Sequence, residues 1–342
     1  VVQQSPLAGS EGMKGGTRVD MVISYSEDFA DGNGADDDPY KIADVWDWLL
    51  LADNSEFWDT NFVMTNDLDF RGCEITPVER FSGVFDGNHH ALRDVRINVQ
   101  VPGDAGLFTI LNSSGHLRKL RAEGLYVTGN EHVGHNLGGL VGRNMGTLTK
   151  CSVDGRVEAD RRAFNAFVGG LAGYNGGSIN ACCAFGSVDS ANLVGGLVGY
   201  NGGEIVACYA DADIWGWAYS AGGLVANSFG DIVDCYARGR FMAGMNSVYI
   251  GGLVARGSGN VTASFWDVDT SGVFSSSAGE GKSTVEMQDP NTFVSAGWDF
   301  VGESANGTED IWAICGGSNY PRFVWQIPAA DRIRRCLRSS LP

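Results

Sequence analysis

Gly-Gly-Leu recurs at Gly138, Gly169, Gly195, Gly222 and Gly251, at intervals of 31, 26, 27 and 29 residues, and this recurrence constrains the fold more than any other feature. A unit this short cannot enclose a core of its own, so successive units must bury their apolar sides against one another. The likeness runs through whole units: GGLVGRNMGTLTKCSVDGRV, GGLAGYNGGSINACCAFGSV, GGLVGYNGGEIVACYADADI, GGLVANSFGDIVDCYARGRF and GGLVARGSGNVTASFWDVDT. A degenerate copy, AGLFTILNSSGHLRKLRAEGLYV, starts at Ala105, and GVFDGNHHALRDVRINV from Gly83 reads as another. The array is therefore expected over residues 61–272, between an acidic leader with a capping helix (1–60) and a C-terminal cap with a basic tail (273–342).

Inside each unit the apolar runs are too brief for helices, and Asn-Gly, Gly-Gly and Asp-Gly turn signals separate them. About three short strands per unit, coiled and stacked on their neighbours, make an all-β parallel β-solenoid, expected to be right-handed. Leu140, Leu171, Leu197, Leu224 and Leu253 form one interior column. Cys151, Cys182, Cys208 and Cys235, each thirteen residues after the first glycine of its repeat, form a second, with Ser264 in the fifth place. Equivalent Cα atoms in adjacent parallel strands lie ~4.8 Å apart, within disulfide range. Stacked side chains rarely reach the ~90° disulfide dihedral, so an inert column of small apolar residues is the expectation over disulfides or metal. Before the array, Ile42, Val45, Trp46, Leu49 and Leu50 have helical spacing, which predicts an amphipathic cap over residues 42–54. A helix over 284–296 and strands near 298–301 and 311–314 are expected to close the other end.

Composition narrows the function classes. Lys and Arg number 24 against 41 Asp and Glu, a net charge of −17, which argues against a nucleic-acid or anionic-membrane binder. No apolar run approaches the ~18 residues of a membrane helix, so membrane insertion is not expected. The first residues lack a basic-then-apolar leader, as in a mature secreted form or a cytosolic protein.

With these units in view, the chain resembles the GLUG-motif repeat proteins of bacterial exteriors. The resemblance extends to DPYKIADVWDWLLLADNSEFWDTNFVMTNDLDF before the array and to the segment running from FWDVDTSG to YPRFVW after it. It implies export to a secreted or cell-surface location, but no single activity. Some immunoglobulin-cleaving zinc peptidases carry such repeats, yet no His-Glu-x-x-His occurs here, so that activity is not carried over.

Several groups are candidate sites. All five histidines, His89, His90, His116, His132 and His135, fall in one stretch with Asp86, Asp104 and Glu131. They read either as a transition-metal or proton-transfer cluster, or as turn and insertion residues around Phe85-Asp86-Gly87-Asn88. Asp31, Asn33, Asp36 and Asp38 offer hard oxygens to calcium in a glycine-rich loop, or simply a solvated acidic turn. Trp215, Trp217 and Tyr219 alternate and so are expected to share a face, with Phe164, Phe167, Phe241 and Tyr249 in comparable places, to meet glycans or a protein partner or to be buried under a loop. Cys315 and Cys336 are the candidate disulfide.

The expected function is an extracellular structural or adhesive solenoid. Its partners would be other copies of the chain, surface proteins or glycans. Residues 1–60 hold 13 acids against 3 bases, net −10, whereas residues 320–342 hold five Arg and one Asp, net +4. A rod open at both ends with ends of opposite charge is expected to associate head to tail. The alternative is a secreted polysaccharide lyase, glycoside hydrolase or glycan binder, for which Asp154, Asp189, Asp211, Asp213, Asp234, Asp267 and Asp269 read as scattered turn residues without an evident catalytic pair.

Overall fold

The computed structural model describes residues 2–5, 20–23, 29, 31–99, 103–130, 136–160, 166–190, 192–216, 218–242, 248–314 and 319–327. Each full coil contains four strands, one more than the turn signals imply. In the first complete unit these are Asn136–Gly138, Val141–Asn144, Thr147–Thr149 and Ser152–Ala159. We call the sheets built by these four positions faces 1 to 4. Every pairing between coils is parallel, giving sheets of five, seven, nine and ten strands for faces 1, 2, 3 and 4. Face 3, from Tyr40–Ile42 to Val261–Thr262, is thus about 40 Å tall at ~4.8 Å per coil. The chain is an all-β parallel β-solenoid.

The repeated residues explain the corners. Between faces 1 and 2 the coils approach so closely that a Cβ on Gly196 would lie 2.1 Å from the Gly223 carbonyl oxygen of the next coil. Only glycine fits there. Leu140, Leu171, Leu197, Leu224 and Leu253 follow that corner and are fully buried. Between faces 3 and 4 a single residue takes left-handed backbone, as at Lys150, Ala181, Ala207, Asp234 and Ala263 (φ 46° to 55°). That residue rotates the following N–H out of the sheet ladder, and a side chain from the next coil receives it. The Cys151 N–H donates to Cys182 Sγ (3.3 Å), Cys182 N–H to Cys208 Sγ (3.4 Å), Cys208 N–H to Cys235 Sγ (3.3 Å) and Cys235 N–H to Ser264 Oγ (3.1 Å). Each thiol in turn donates to the carbonyl two residues earlier, as Cys208 does to Val206 (3.1 Å) and Ser264 does to Thr262 (2.8 Å). Burial pushes the Cys182 and Cys208 thiols up, which keeps them protonated and able to donate. Serine can end the column because it makes the same two bonds.

A third interior column comes from asparagine. Asn144, Asn175 and Asn201 are fully buried on face 2, and each amide donates to the next coil: Asn144 to Asn175 Oδ1 (2.7 Å), Asn175 to Asn201 Oδ1 (2.8 Å), Asn201 to Ser228 Oγ (3.1 Å). The carbonyl of Asn144 also accepts the Gly146 N–H, which ties the turn into face 3.

Both ends of the coil stack are covered. Helix α1, Val45–Asp53, starts at Asp44 in a capping box with Asp47. Ile42 lies outside it, in a strand of face 3, and the helix turns Trp48, Leu50, Leu51 and Ala52 inward, whereas Trp46 stays exposed. Trp48 meets Phe70, Phe85 and Phe108 edge-on, with centroids 5.7 to 6.3 Å apart, so the first coil's interior is sealed by one indole. At the far end, residues 273–279 cross the mouth of the last coil through Gly252 N–H to Ser275 O and Ser277 N–H to Val254 O. Glu280–Lys282 then adds the last strand of face 4. Both mouths of the rod are therefore covered, which differs from the open-ended rod expected to associate head to tail.

The single helix expected over 284–296 is two short ones, Thr284–Met287 and Pro290–Val294, because Asp289-Pro290 starts a new first turn. From there the chain does not stay at the mouth of the coil. It returns along the outside of face 4 as a strap that ends in the antiparallel pair Trp312–Ala313 with Arg322–Phe323. Beneath it, Cys183, Tyr209, Tyr236 and Phe265 stand one above another in register on the outer side of face 4. Phe293, Trp298, Trp312 and Phe323 bury them. Tyr209 and Tyr236 stack at 4.9 Å and 2°, and their hydroxyls donate to Gln326 Oε1 (2.8 Å) and Pro321 O (2.6 Å). Gln326 also donates to Cys183 Sγ (3.2 Å).

Candidate functional site

The end of the strap creates a cleft. Trp325 lies over His89, ring centroids 6.1 Å apart, so the strap spans face 4 from its last coils back to one of its first. Between Trp325, Arg322 and face 4 is a cleft of about 540 Å³ whose floor includes Arg121, Glu123, Ser152, Asp154 and Phe185. The strand register explains the floor: Glu123, Asp154, Phe185 and Asp211 occupy equivalent outward positions in four successive coils. Glu123 is held by Arg93 (3.0 Å) and Arg121 (3.1 Å), and Asp211 by Arg238. Among the described residues, nothing holds Asp154 by a hydrogen bond or ion pair. Burial, together with the neighbouring carboxylates of Glu123 and Asp211, raises its pKa. His89 is pushed down by burial and by Lys119, so at neutral pH it is an uncharged imidazole. Its own backbone is left-handed (φ 65°).

The other histidines do not join it. His90 Nδ1 lies 3.1 Å from Asp67 Oδ1, and His116 Nε2 lies 3.1 Å from Thr149 Oγ1 on face 3. Asp86 pairs with Arg118 (2.8 Å), and Asp104 with Arg143 (2.9 Å). Among the described residues no group of three or more His, Cys, Asp or Glu is placed to hold a metal. Glu131, His132 and His135 lie outside the described residues. In the acidic loop, Asp31 pairs with Lys41, Asn33 Oδ1 accepts the Ala35 N–H (2.9 Å), and Asp36 Oδ1 accepts from Asn61 Nδ2 (2.8 Å). Asp38 follows in an isolated bridge with Ala35. Cys315 and Cys336 lie outside the described residues.

The aromatic residues divide differently from the alternation in the sequence. Trp215 ends a face 4 strand, Gly216 turns the chain with φ 102°, and Tyr219 sits before the next face 1 strand, so Trp215 and Tyr219 do not share a face. Both are exposed, and Tyr219 meets Tyr249 edge-on at 5.5 Å. Phe241 is half-buried at an isolated bridge to Ile214. Trp217 and Phe164 lie outside the described residues. A further outward aromatic ladder, not covered by the strap, is one the alternation does not reveal. Tyr174 and Tyr200 stack on face 2 at 5.3 Å and 6°, flanked by Phe167, Phe229 and the Arg143 guanidinium. Its signal is the Tyr of GGLAGYN and GGLVGYN, one position before the buried Asn.

The repeats have relatives among known proteins. The family model described as the GLUG motif matches residues 133–158 and 190–214. Over 112 residues, 30% of this chain, the sequence is 30% identical to halomucin of Haloquadratum walsbyi (strain DSM 16790 / HBSQ001), and the match spans 1% of that protein's length. A crystal structure described as a candidate immunoglobulin A1 protease from Bacteroides ovatus aligns with 87% of this chain and 95% of its own, at 19% identity and a TM-score of 0.46. At that similarity nothing said of the Bacteroides protein passes to this chain.

Proposed function

We propose, from the premise that this chain is a GLUG-repeat β-solenoid, that it is an extracellular structural and adhesive element. The GLUG match and the likeness to halomucin support a secreted or surface location. One observation carries the structural part of the reading: the Leu, Cys and Asn columns of the interior are devoted to stacking coil on coil. Such columns give a stiff rod whose outer faces are free to vary, since each coil is stabilised mainly by its neighbours. The adhesive part rests on what those faces display: the Tyr174–Tyr200 ladder on face 2, exposed Trp215 and Tyr219, and the cleft under the strap. Association with further copies is the finer part of the proposal. Its support is the charge contrast between residues 1–60 and 320–342, with Arg332, Arg334, Arg335 and Arg338 in the basic tail. Because α1 and residues 273–279 cover the coil mouths, such association would run through the terminal segments rather than through strand addition to open ends.

Antibodies against the purified chain test the location: they should label intact producing cells without permeabilisation. Labelling that needs permeabilised cells would overturn the reading. Sedimentation velocity of the full chain across salt concentrations tests association, and deletion of 329–342 should lower the assembled fraction. A full chain that sediments as a monomer at every salt and protein concentration would remove the self-association part.

A further inference from the structure

The cleft beneath the strap holds polar groups that the fold leaves unused. Trp325 lines the cleft from the strap side, while its indole N–H is buried out of reach of the open space. The carboxylate of Asp154 and the guanidinium of Arg322 have no partner among the described residues. An unpaired carboxylate and an unpaired guanidinium facing one cavity offer a ligand both an acceptor and donors. Phe185 adds an apolar ring to the floor, meeting Tyr209 edge-on at 5.5 Å.

We propose that this cleft is a saccharide-binding site, in which Asp154 accepts from sugar hydroxyls, Arg322 donates to them, and Phe185 receives the apolar face of a sugar ring, with Trp325 closing the cleft from above. The inference rests on the extracellular reading above and names the ligand class for it. A sugar hydroxyl both donates and accepts, so it can satisfy a carboxylate and a guanidinium in one place. Competing ligands fit less well. A phosphate would face the carboxylates of Glu123 and Asp154, and a metal ion would face Arg121 and Arg322. A volume of about 540 Å³ lies within the ordinary range of small-ligand sites and admits about one or two sugar rings. The strap supplies Arg322 and Trp325 and the array supplies Asp154 and Phe185, so neither region alone makes the site.

The test is a printed array of microbial and mammalian glycans probed with the fluorescently labelled full chain, followed by calorimetric titration of the glycan that binds. Asp154→Asn and Arg322→Gln alter side chains at the solvent edge of the cleft and should not lower the thermal unfolding temperature, while each weakens binding at least tenfold. Trp325→Ala, which removes the ring that closes the cleft over His89, should also weaken it. Absence of binding to any printed glycan overturns the proposal, as does binding that Asp154→Asn and Arg322→Gln leave intact. Surface labelling of intact cells is read separately, so a chain that is displayed but binds no saccharide fails the cleft and not the extracellular reading.

Discussion

The interior of the coil stack and the covered outside of face 4 are both dry, yet they are built in opposite ways. Inside, every column is a residue stacked on its own copy: leucine on leucine, thiol to backbone N–H, amide to amide. Outside, Cys183, Tyr209, Tyr236 and Phe265 are covered by residues from one segment that occurs once. The first arrangement spreads stability over nearest-neighbour contacts, so a local defect weakens adjoining coils first. The second depends on a single strap, whose loss would expose a row of aromatic rings and dismantle the cleft.

That contrast can be broken most severely at Leu197. Leu197→Asp places a lone carboxylate in a fully buried leucine column and should cost about 4 kcal/mol or more, seen as loss of the cooperative unfolding transition. Wild-type unfolding would mean that the column is not interior. Trp312→Ala, at the centre of the strap, should cost about 3–5 kcal/mol but act on the strap. Tryptophan fluorescence should then report an earlier urea transition than the β-sheet circular dichroism, and coincident transitions would show that strap and array form one cooperative unit. Asn175→Ala breaks the amide column, removing one bond from the Asn144 amide, which keeps Ser178 O (3.4 Å), and one from Asn201 Oδ1, which keeps the Gly203 N–H (3.3 Å), for about 1–3 kcal/mol by thermal unfolding. Cys208→Ser should cost no more than about 1 kcal/mol, because Ser264 already makes the same bonds, whereas Cys208→Val, which orphans the Cys182 N–H, should cost more. Equal losses for the two variants would remove the hydrogen-bonding account of the column.

The smallest effect is a pH dependence. Asp234 occupies the left-handed corner that other coils fill with Ala181, Ala207 and Ala263, and burial raises its carboxyl to about 6. Its folded pKa lies above the unfolded value, so its stabilising contribution is complete below about pH 4 and is lost as pH rises through about 6. Asp234→Asn, which keeps the left-handed preference without the charge, should therefore unfold at a higher temperature than wild type at pH 7 and show less advantage at pH 4. An advantage that does not depend on pH would contradict this.

Residues that repeat were legible and residues that occur once were not. The spacing of Gly-Gly-Leu and of Cys151, Cys182, Cys208 and Cys235 is enough by itself to define the coils, because each copy repeats the same environment. The Asn144, Asn175 and Asn201 column was equally visible, six residues after the first glycine of each unit, but asparagine beside glycine reads as a turn, and its burial follows only from stacking. The buried side of α1 does not follow from its periodicity, because a helix lying across a coil mouth directs Trp48 toward Phe85 and Phe108, a direction that periodicity within one short helix does not define. The strap has no period at all, so nothing in residues 284–327 announces that it runs back along face 4. Asp154 accordingly reads as one scattered acid until the register aligns it with Glu123 and the strap brings Arg322 and Trp325 above it.

The return of the strap to the first coils is what joins the two regions into one site, and a photo-crosslink tests it directly. With the photoreactive aromatic p-benzoylphenylalanine in place of Trp325, irradiation of the full chain followed by peptide mass spectrometry should join the strap to peptides containing His89 or Arg121. Crosslinks confined to the C-terminal segment, or directed to the last coil around Leu253, would contradict the strap's path and with it the cleft.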